Sequence, residues 1–138
     1  MEVEVWRRSP GRADPSICAT GEDVFAMLMP KHLTRMRAMT ICHIDDIAFF
    51  AHSSASKVAI AEGAHARVTL WCLEPGQEIQ PHAHAGDHVW SVQEGEGRYL
   101  AGEEAHPVTA GSVIFAAAGE IHGMRAKTRL LFVSVSAG

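Results

Sequence analysis

The chain has 138 residues, 47% of them hydrophobic and 20% charged, with a formal net charge of −4. That size admits one domain with a proper core, and the composition excludes a disordered or low-complexity chain. The mild acidity argues against nucleic acid or an acidic membrane as partner.

No apolar run approaches the roughly 20 residues that cross a bilayer, and the opening MEVEVWRRSPGR lacks the basic-then-apolar order of a secretory signal. Val3 and Val5 alternate with Glu2 and Glu4, which predicts a short edge strand over Met1 to Trp6. Pro10, Gly11 and Pro15 mark an irregular loop. From Glu22 to Met29, Val24, Phe25 and Leu28 fall on one face of a short helix that Pro30 interrupts. Lys31, Arg35 and Arg37 read as a solvated face rather than a binding patch. The pattern changes at Met39. Residues 1–38 are expected to be an extension that wraps the fold or contributes to a dimer, with Met36 and Met39 as alternative starts, and residues 39–138 to be the folded domain. Cys18, Cys42 and Cys72 are odd in number and widely spaced, as expected of reduced thiols in a cytoplasmic protein, serving as small apolar residues.

After Met39 the predicted strands come quickly: Thr40 to Ile44, Lys57 to Ala61, Ala66 to Leu73, Glu78 to Pro81, His88 to Gln93, Gly97 to Leu100, Ser112 to Ala116 and Leu130 to Ser136. Turn-forming residues such as Glu74-Pro75-Gly76, Glu94-Gly95-Glu96-Gly97 and Ala110-Gly111 separate them. Many short strands with regular turns predict an all-β sandwich or barrel.

The chemistry concentrates between Gly76 and Gly95, in GQEIQPHAHAGDHVWSVQEG. His82 and His84 are two apart, so an extended backbone aims both imidazoles into one space. His88 follows the turn Ala85-Gly86 and can point back at them, and His122 lies in GEIHGM after a further apolar strand. Converging imidazoles suit zinc, copper, iron or nickel. Trp90 shares the face of His88 and is either a pocket wall or core filler. Asp87 faces the opposite way, towards solvent or behind the ligands. His32, His43, His52, His65 and His106 read as surface or ordinary hydrogen-bonding residues. Glu78, Glu120 and Arg98 lie near the motifs, but their facing is not set by the sequence and no acid–base role is assigned to them; the facing of Trp71, Cys72 and Phe115 is open. The sequence carries no Ser-His-Asp arrangement, phosphate-binding glycine loop or dinucleotide fingerprint.

These residues resemble the cupin superfamily, whose first motif is G-x5-H-x-H-x3,4-E-x6-G and second is G-x5-P-x-G-x2-H-x3-N. Here Gly76, His82, His84, His88 and Gly95 fill the first, with His88 where the family carries glutamate. Gly111, Gly119 and His122 fill the second, with Ala117 and Ala126 at its proline and asparagine positions. The match spans about Arg67 to the carboxyl terminus and looks most like small single-domain bacterial cupins with a four-histidine metal site. The resemblance implies a double-stranded β-helix, or jelly roll, with a divalent transition metal (manganese, iron, nickel, copper or zinc) held by His82, His84, His88 and His122, commonly in a homodimer.

Four neutral imidazoles leave a divalent ion its full charge, which attracts anionic or chelating oxygen ligands. Six-coordinate geometry would leave two positions for a substrate, whereas tetrahedral zinc would fill its shell and be structural. The expected function is a metal-dependent oxidoreductase of the dioxygenase type acting on a small organic substrate. The alternatives are a non-redox isomerase, lyase or cyclase, and a metal-dependent binding or sensing module without turnover.

Overall fold

Hydrophobic alternation with a period of two runs through most of residues 56–137, and it builds two antiparallel sheets that bury one face against each other. The computed structural model describes residues 3–5 and 39–138. The strands are β1 Val3–Val5, β2 Met39–Ile41, β3 Ser56–Glu62, β4 Ala66–Leu73, β5 Glu78–Ala83 and β6 Asp87–Glu94. They continue as β7 Glu96–Ala101, β8 Glu104–Thr109, β9 Val113–Ala116, β10 Ile121–Ala126 and β11 Leu130–Ala137. A single helical turn, α1, spans Ile44–Ile47. One sheet has the order β3-β4-β11-β6-β9 and the other β5-β10-β7-β8. β1 and β2 pair in parallel as a separate two-stranded sheet. The all-β expectation holds. The predicted helix of Glu22 to Met29, the Pro10–Pro15 loop, the basic stretch, Cys18 and His32 lie outside the described residues.

Alternation decides the layers. On β4, Trp71 and Leu73 face the interior with Trp90, Val92, Met124, Leu130 and Phe132, while Leu70 and Cys72 face outward. Leu131 of β11 joins that outer cluster with Val58, and Ile44, Ile47 and Phe50 cover it. Spaced three apart, Ile44 and Ile47 reach one surface from a helical turn. For that reason the predicted strand Thr40 to Ile44 stops at Ile41. The cover is fastened by the Gln77 side chain, which donates to the Ala51 carbonyl at 2.8 Å, and by the Arg129 guanidinium lying 4.3 Å over the Phe50 ring. The same outer face is bare at its other end, where Val113 and Phe115 of β9 are 69% and 62% exposed. β11 is central, paired along its length with β4 on one side and β6 on the other. Among the described residues, no helix is long and apolar enough to cross a membrane.

Two strands escaped the sequence reading. β8, EAHPVT, buries only Val108, and its Pro107 is tolerated because the strand is the edge of its sheet. β10, IHGMRA, buries His122, Gly123, Met124 and Ala126, so a buried glycine and histidine break the apolar alternation.

Candidate functional site

β5, β6 and β10 bring the four motif histidines together at one end of the barrel. His82 on β5 is the direct cross-strand partner of His122 on β10, and their ring centroids are 4.9 Å apart. His84 follows the end of β5 and sits 5.5 Å from His82 and 4.2 Å from His88 by the same measure. His88 opens the buried alternation of β6 and lies 4.8 Å from His122. His88 and His122 are buried, whereas His82 and His84 are exposed, so the cluster is sealed on its core side and open on the other.

Two glycines allow this convergence. A Cβ on Gly123 would lie 2.6 Å from the Ile79 carbonyl oxygen, so only glycine lets β10 approach β5 at the bulge next to His122. A Cβ on Gly86 would lie 1.9 Å from the Ala137 carbonyl oxygen, which pins the turn between His84 and His88 against the end of β11. Across the opening, Asp87 accepts a hydrogen bond from the Ala118 N–H at 2.9 Å, and the Gly119 N–H donates to the His84 carbonyl at 2.7 Å. The exposed, outward Asp87 therefore ties the β9–β10 loop to the β5–β6 loop.

The hydrogen bonds assign the tautomers. His82 donates Nδ1–H to the Gln80 carbonyl at 2.8 Å, and His122 donates Nδ1–H to the Glu120 carbonyl at 2.9 Å. Each neutral ring then keeps a lone pair on Nε2. His88 donates its Nδ1–H to His122 Nε2 at 3.0 Å, which leaves the buried His88 Nε2 as a lone pair with no partner. Burial holds the imidazolium of His88 down, with its pKa lowered to about 4, and the surrounding histidines push the same way. Burial likewise lowers the pKa of His122, partly opposed by its bond to the Glu120 carbonyl.

Among the described residues, no group of three or more histidine, cysteine, aspartate or glutamate side chains is arranged to hold a metal ion as it stands. The His88–His122 hydrogen bond turns one nitrogen of each ring towards the other ring. The donor set nonetheless suits a divalent transition ion: two rings fixed by backbone carbonyls with Nε2 lone pairs, an orphaned Nε2 on His88, and His84 at the rim.

Trp90 stands edge-on to His122, at 87° with centroids 5.2 Å apart, and closes the cluster from beneath. Tyr99, which the sequence reading missed, lies edge-on to Trp90 at 5.7 Å. Its interior place depends on the register of β7 with β10, which no local pattern announces. The two carbonyls that orient His82 and His122 also went unseen, although each lies two residues before its histidine, a spacing that an extended chain favours. Glu78 is engaged by Arg125 at 2.6 Å, Glu120 accepts from the Ala117 N–H at 3.3 Å, and Arg98 is exposed on β7. Of the three, Glu120 alone meets the cluster, through its backbone carbonyl on His122. His43, His52, His65 and His106 are exposed and lie apart from it, His106 beside Glu104 at 3.2 Å. Trp71 faces the core, Cys72 is buried under α1 with its thiol pKa raised by burial, and Phe115 faces outward.

Two antiparallel sheets closed around a core, with polar side chains gathered at one open end, define a small jelly-roll barrel. Residues 69–136 match the Cupin domain, so that stretch of the chain is a cupin domain. It is similar to the protein TT1209 of Thermus thermophilus, with 30% identity over 72% of this chain and 97% of that one and a TM-score of 0.68. An uncharacterized conserved protein with a double-stranded β-helix domain from Klebsiella pneumoniae is 28% identical, covering 75% of this chain and 90% of that one, with a TM-score of 0.68. An RmlC-like cupin from Desulfovibrio desulfuricans is 26% identical over 65% of this chain and 88% of that one, with a TM-score of 0.62. No curated protein matches the chain.

Proposed function

We propose that this cupin is a metal-dependent enzyme in which His82, His84, His88 and His122 hold a divalent transition ion, and that it carries out oxidoreductase chemistry of the dioxygenase type on a small organic molecule. The observation that carries the reading is the buried, partnerless Nε2 of His88, set among three other imidazoles. A core does not keep such an acceptor without a use for it. When bound, the ion supplies Lewis acidity and, where it is redox-active, a route for electrons.

The chain's own residues do the rest. The Gln80 and Glu120 carbonyls fix the tautomers of His82 and His122. Trp90 and Phe132, with centroids 5.0 Å apart, exclude water from the core side. Among the described residues, nothing around the cluster is placed as a general acid or base, so substrate binding and orientation are what the protein contributes. No carboxylate belongs to the quartet, which favours an anionic, oxygen-bearing substrate.

Elemental analysis of protein purified without added metal tests the reading. Iron, manganese, copper or nickel near one per chain, lost in His82→Ala and His122→Ala, is the expected result. Stoichiometric zinc that admits no added ligand would make the site structural. Metal retained in full by both variants would remove the site altogether.

A further inference from the structure

Tyr99 is the single tyrosine of the chain, and it stands edge-on to Trp90 at 86° with ring centroids 5.7 Å apart. Trp90 in turn stands edge-on to His122 at 5.2 Å. These contacts make one file of rings that leads from the histidine cluster through the core. The file ends at a surface cavity of about 380 Å³, which Tyr99 lines with Phe115, Glu120 and Ile121. Trp90 is 3% exposed and its indole Nε1 has no hydrogen-bond partner among the described residues, whereas the cavity gives Tyr99 a way to water. Packing requires neither ring, since phenylalanine at both positions would keep the aromatic contacts without burying an unsatisfied N–H. Indole and phenol are, however, the aromatic side chains that give up one electron most readily. Electron transfer falls steeply with distance, so rings in near contact pass a charge in short hops faster than one long jump does.

We propose that Trp90 and Tyr99 form a one-electron relay that carries a stray oxidising equivalent out of the histidine cluster to the cavity, where a small thiol quenches it. This rests on the proposed redox-active ion and adds a protective activity to that site. Reduction of peroxide to two waters at the cluster takes two electrons, one from the ion and one from Trp90, with two protons from solvent. The indole N–H has no acceptor, so the radical cation keeps its proton and an electron alone restores it. Tyr99 supplies that electron and releases its phenol proton to water in the cavity. A thiol returns a hydrogen atom to the tyrosyl radical, and two thiyl radicals pair as a disulfide. Burial and the charge of Glu120 raise the Tyr99 pKa, so the resting phenol holds its proton until it is oxidised.

The test uses full-length protein loaded with iron(II) without air, desalted, mixed with hydrogen peroxide and frozen for electron paramagnetic resonance. A tyrosyl radical signal is expected, and with one tyrosine in the chain it belongs to Tyr99. Trp90→Phe should lose that signal per bound iron, and Tyr99→Phe should replace it with an indole radical. In both variants, peptide mass spectrometry should show oxygen-added histidine accumulating in the cluster faster than in the parent. Iron-loaded protein that gives no tyrosyl signal, or a signal that survives in Trp90→Phe, overturns the relay and leaves the metal reading standing. Protein that retains no iron overturns the relay; if it retains no manganese, copper or nickel either, the proposed metal site falls with it.

Discussion

The Nδ1 of His88 and the Nε2 of His122 lie 3.0 Å apart and join the two sheets of the barrel at its open end, one residue standing on β6 and the other on β10. The His122 nitrogen that accepts this bond is the one its backbone partner leaves available for a metal. An ion on His122 Nε2 therefore has to displace the His88 N–H. Binding of an ion would exchange a neutral hydrogen bond for coordination, with the orphaned Nε2 of His88 as the nitrogen that residue could offer.

His88 is the position at which this chain departs from the first family motif. His88→Glu is expected to retain metal, since imidazole and carboxylate both coordinate transition ions, while adding a negative charge that weakens azide binding. His88→Ala should lose metal affinity without that added charge. Metal content and azide titration of the three proteins check this. Equal azide affinity in His88→Glu and the parent would take His88 off the metal.

The pH dependence of the metal-free protein follows from the same burial. The folded-state pKa of His88 is lowered to about 4 against an ordinary 6.5, and that of His122 is lowered too. Between those values the unfolded chain binds the proton and the folded chain does not, so unfolding stability rises with pH. The contribution is complete above about pH 6.5 and is lost as pH falls through that window towards 4. Urea midpoints of EDTA-treated protein should fall from pH 7.5 to pH 4.5, with a shallower fall in His88→Leu. A flat profile in the parent would show that the cluster is not buried in solution.

The bulge beside His122 gives a steric test. Gly123→Ala places a methyl 2.6 Å from the Ile79 carbonyl oxygen and should cost about 1–3 kcal/mol, as overpacking does. It should also weaken metal binding, because β10 must move off β5 and carry His122 from His82. Gly63→Ala is the control, since its Cβ would meet its nearest atom at an ordinary 3.6 Å. Urea titration and metal content of both variants measure the contrast.

The last prediction concerns residues 1–38. β1 pairs with β2 alone, in a sheet separate from the other two, and both core clusters of the described residues draw on residues from Ile44 onward. A chain starting at Met39 should fold cooperatively and bind metal as the parent does. An insoluble or metal-free product would make the extension part of the fold.

Where a strand is a long apolar run bounded by turns and buried on both faces, as in Ala66–Leu73 and Leu130–Ala137, the sequence reading and the structure agree closely. It fails at β8, a mostly exposed edge strand containing Pro107, and at β10, where Gly123 and His122 interrupt the apolar pattern. The convergence of the histidines was legible because the spacing of two and the turn at Ala85-Gly86 are local. The His88–His122 bond was not, because it depends on how two sheets close over residues 34 apart in the chain. The orphaned indole of Trp90 was illegible for the same reason, although the face it occupies was not.

The central position of β11 shapes how this protein is made. Its partners β4 and β6 both precede it in the chain, yet they meet only through it. On the ribosome, β3 and β4 emerge as one hairpin, and β6 waits for β9; neither group can close the five-stranded sheet. Long-range pairing of this kind is slow and leaves strand edges exposed meanwhile. The nascent chain must therefore carry an open, apolar half-barrel until Leu130–Ala137 leaves the exit tunnel, and a stalled or truncated message yields a product suited to chaperone capture rather than to folding.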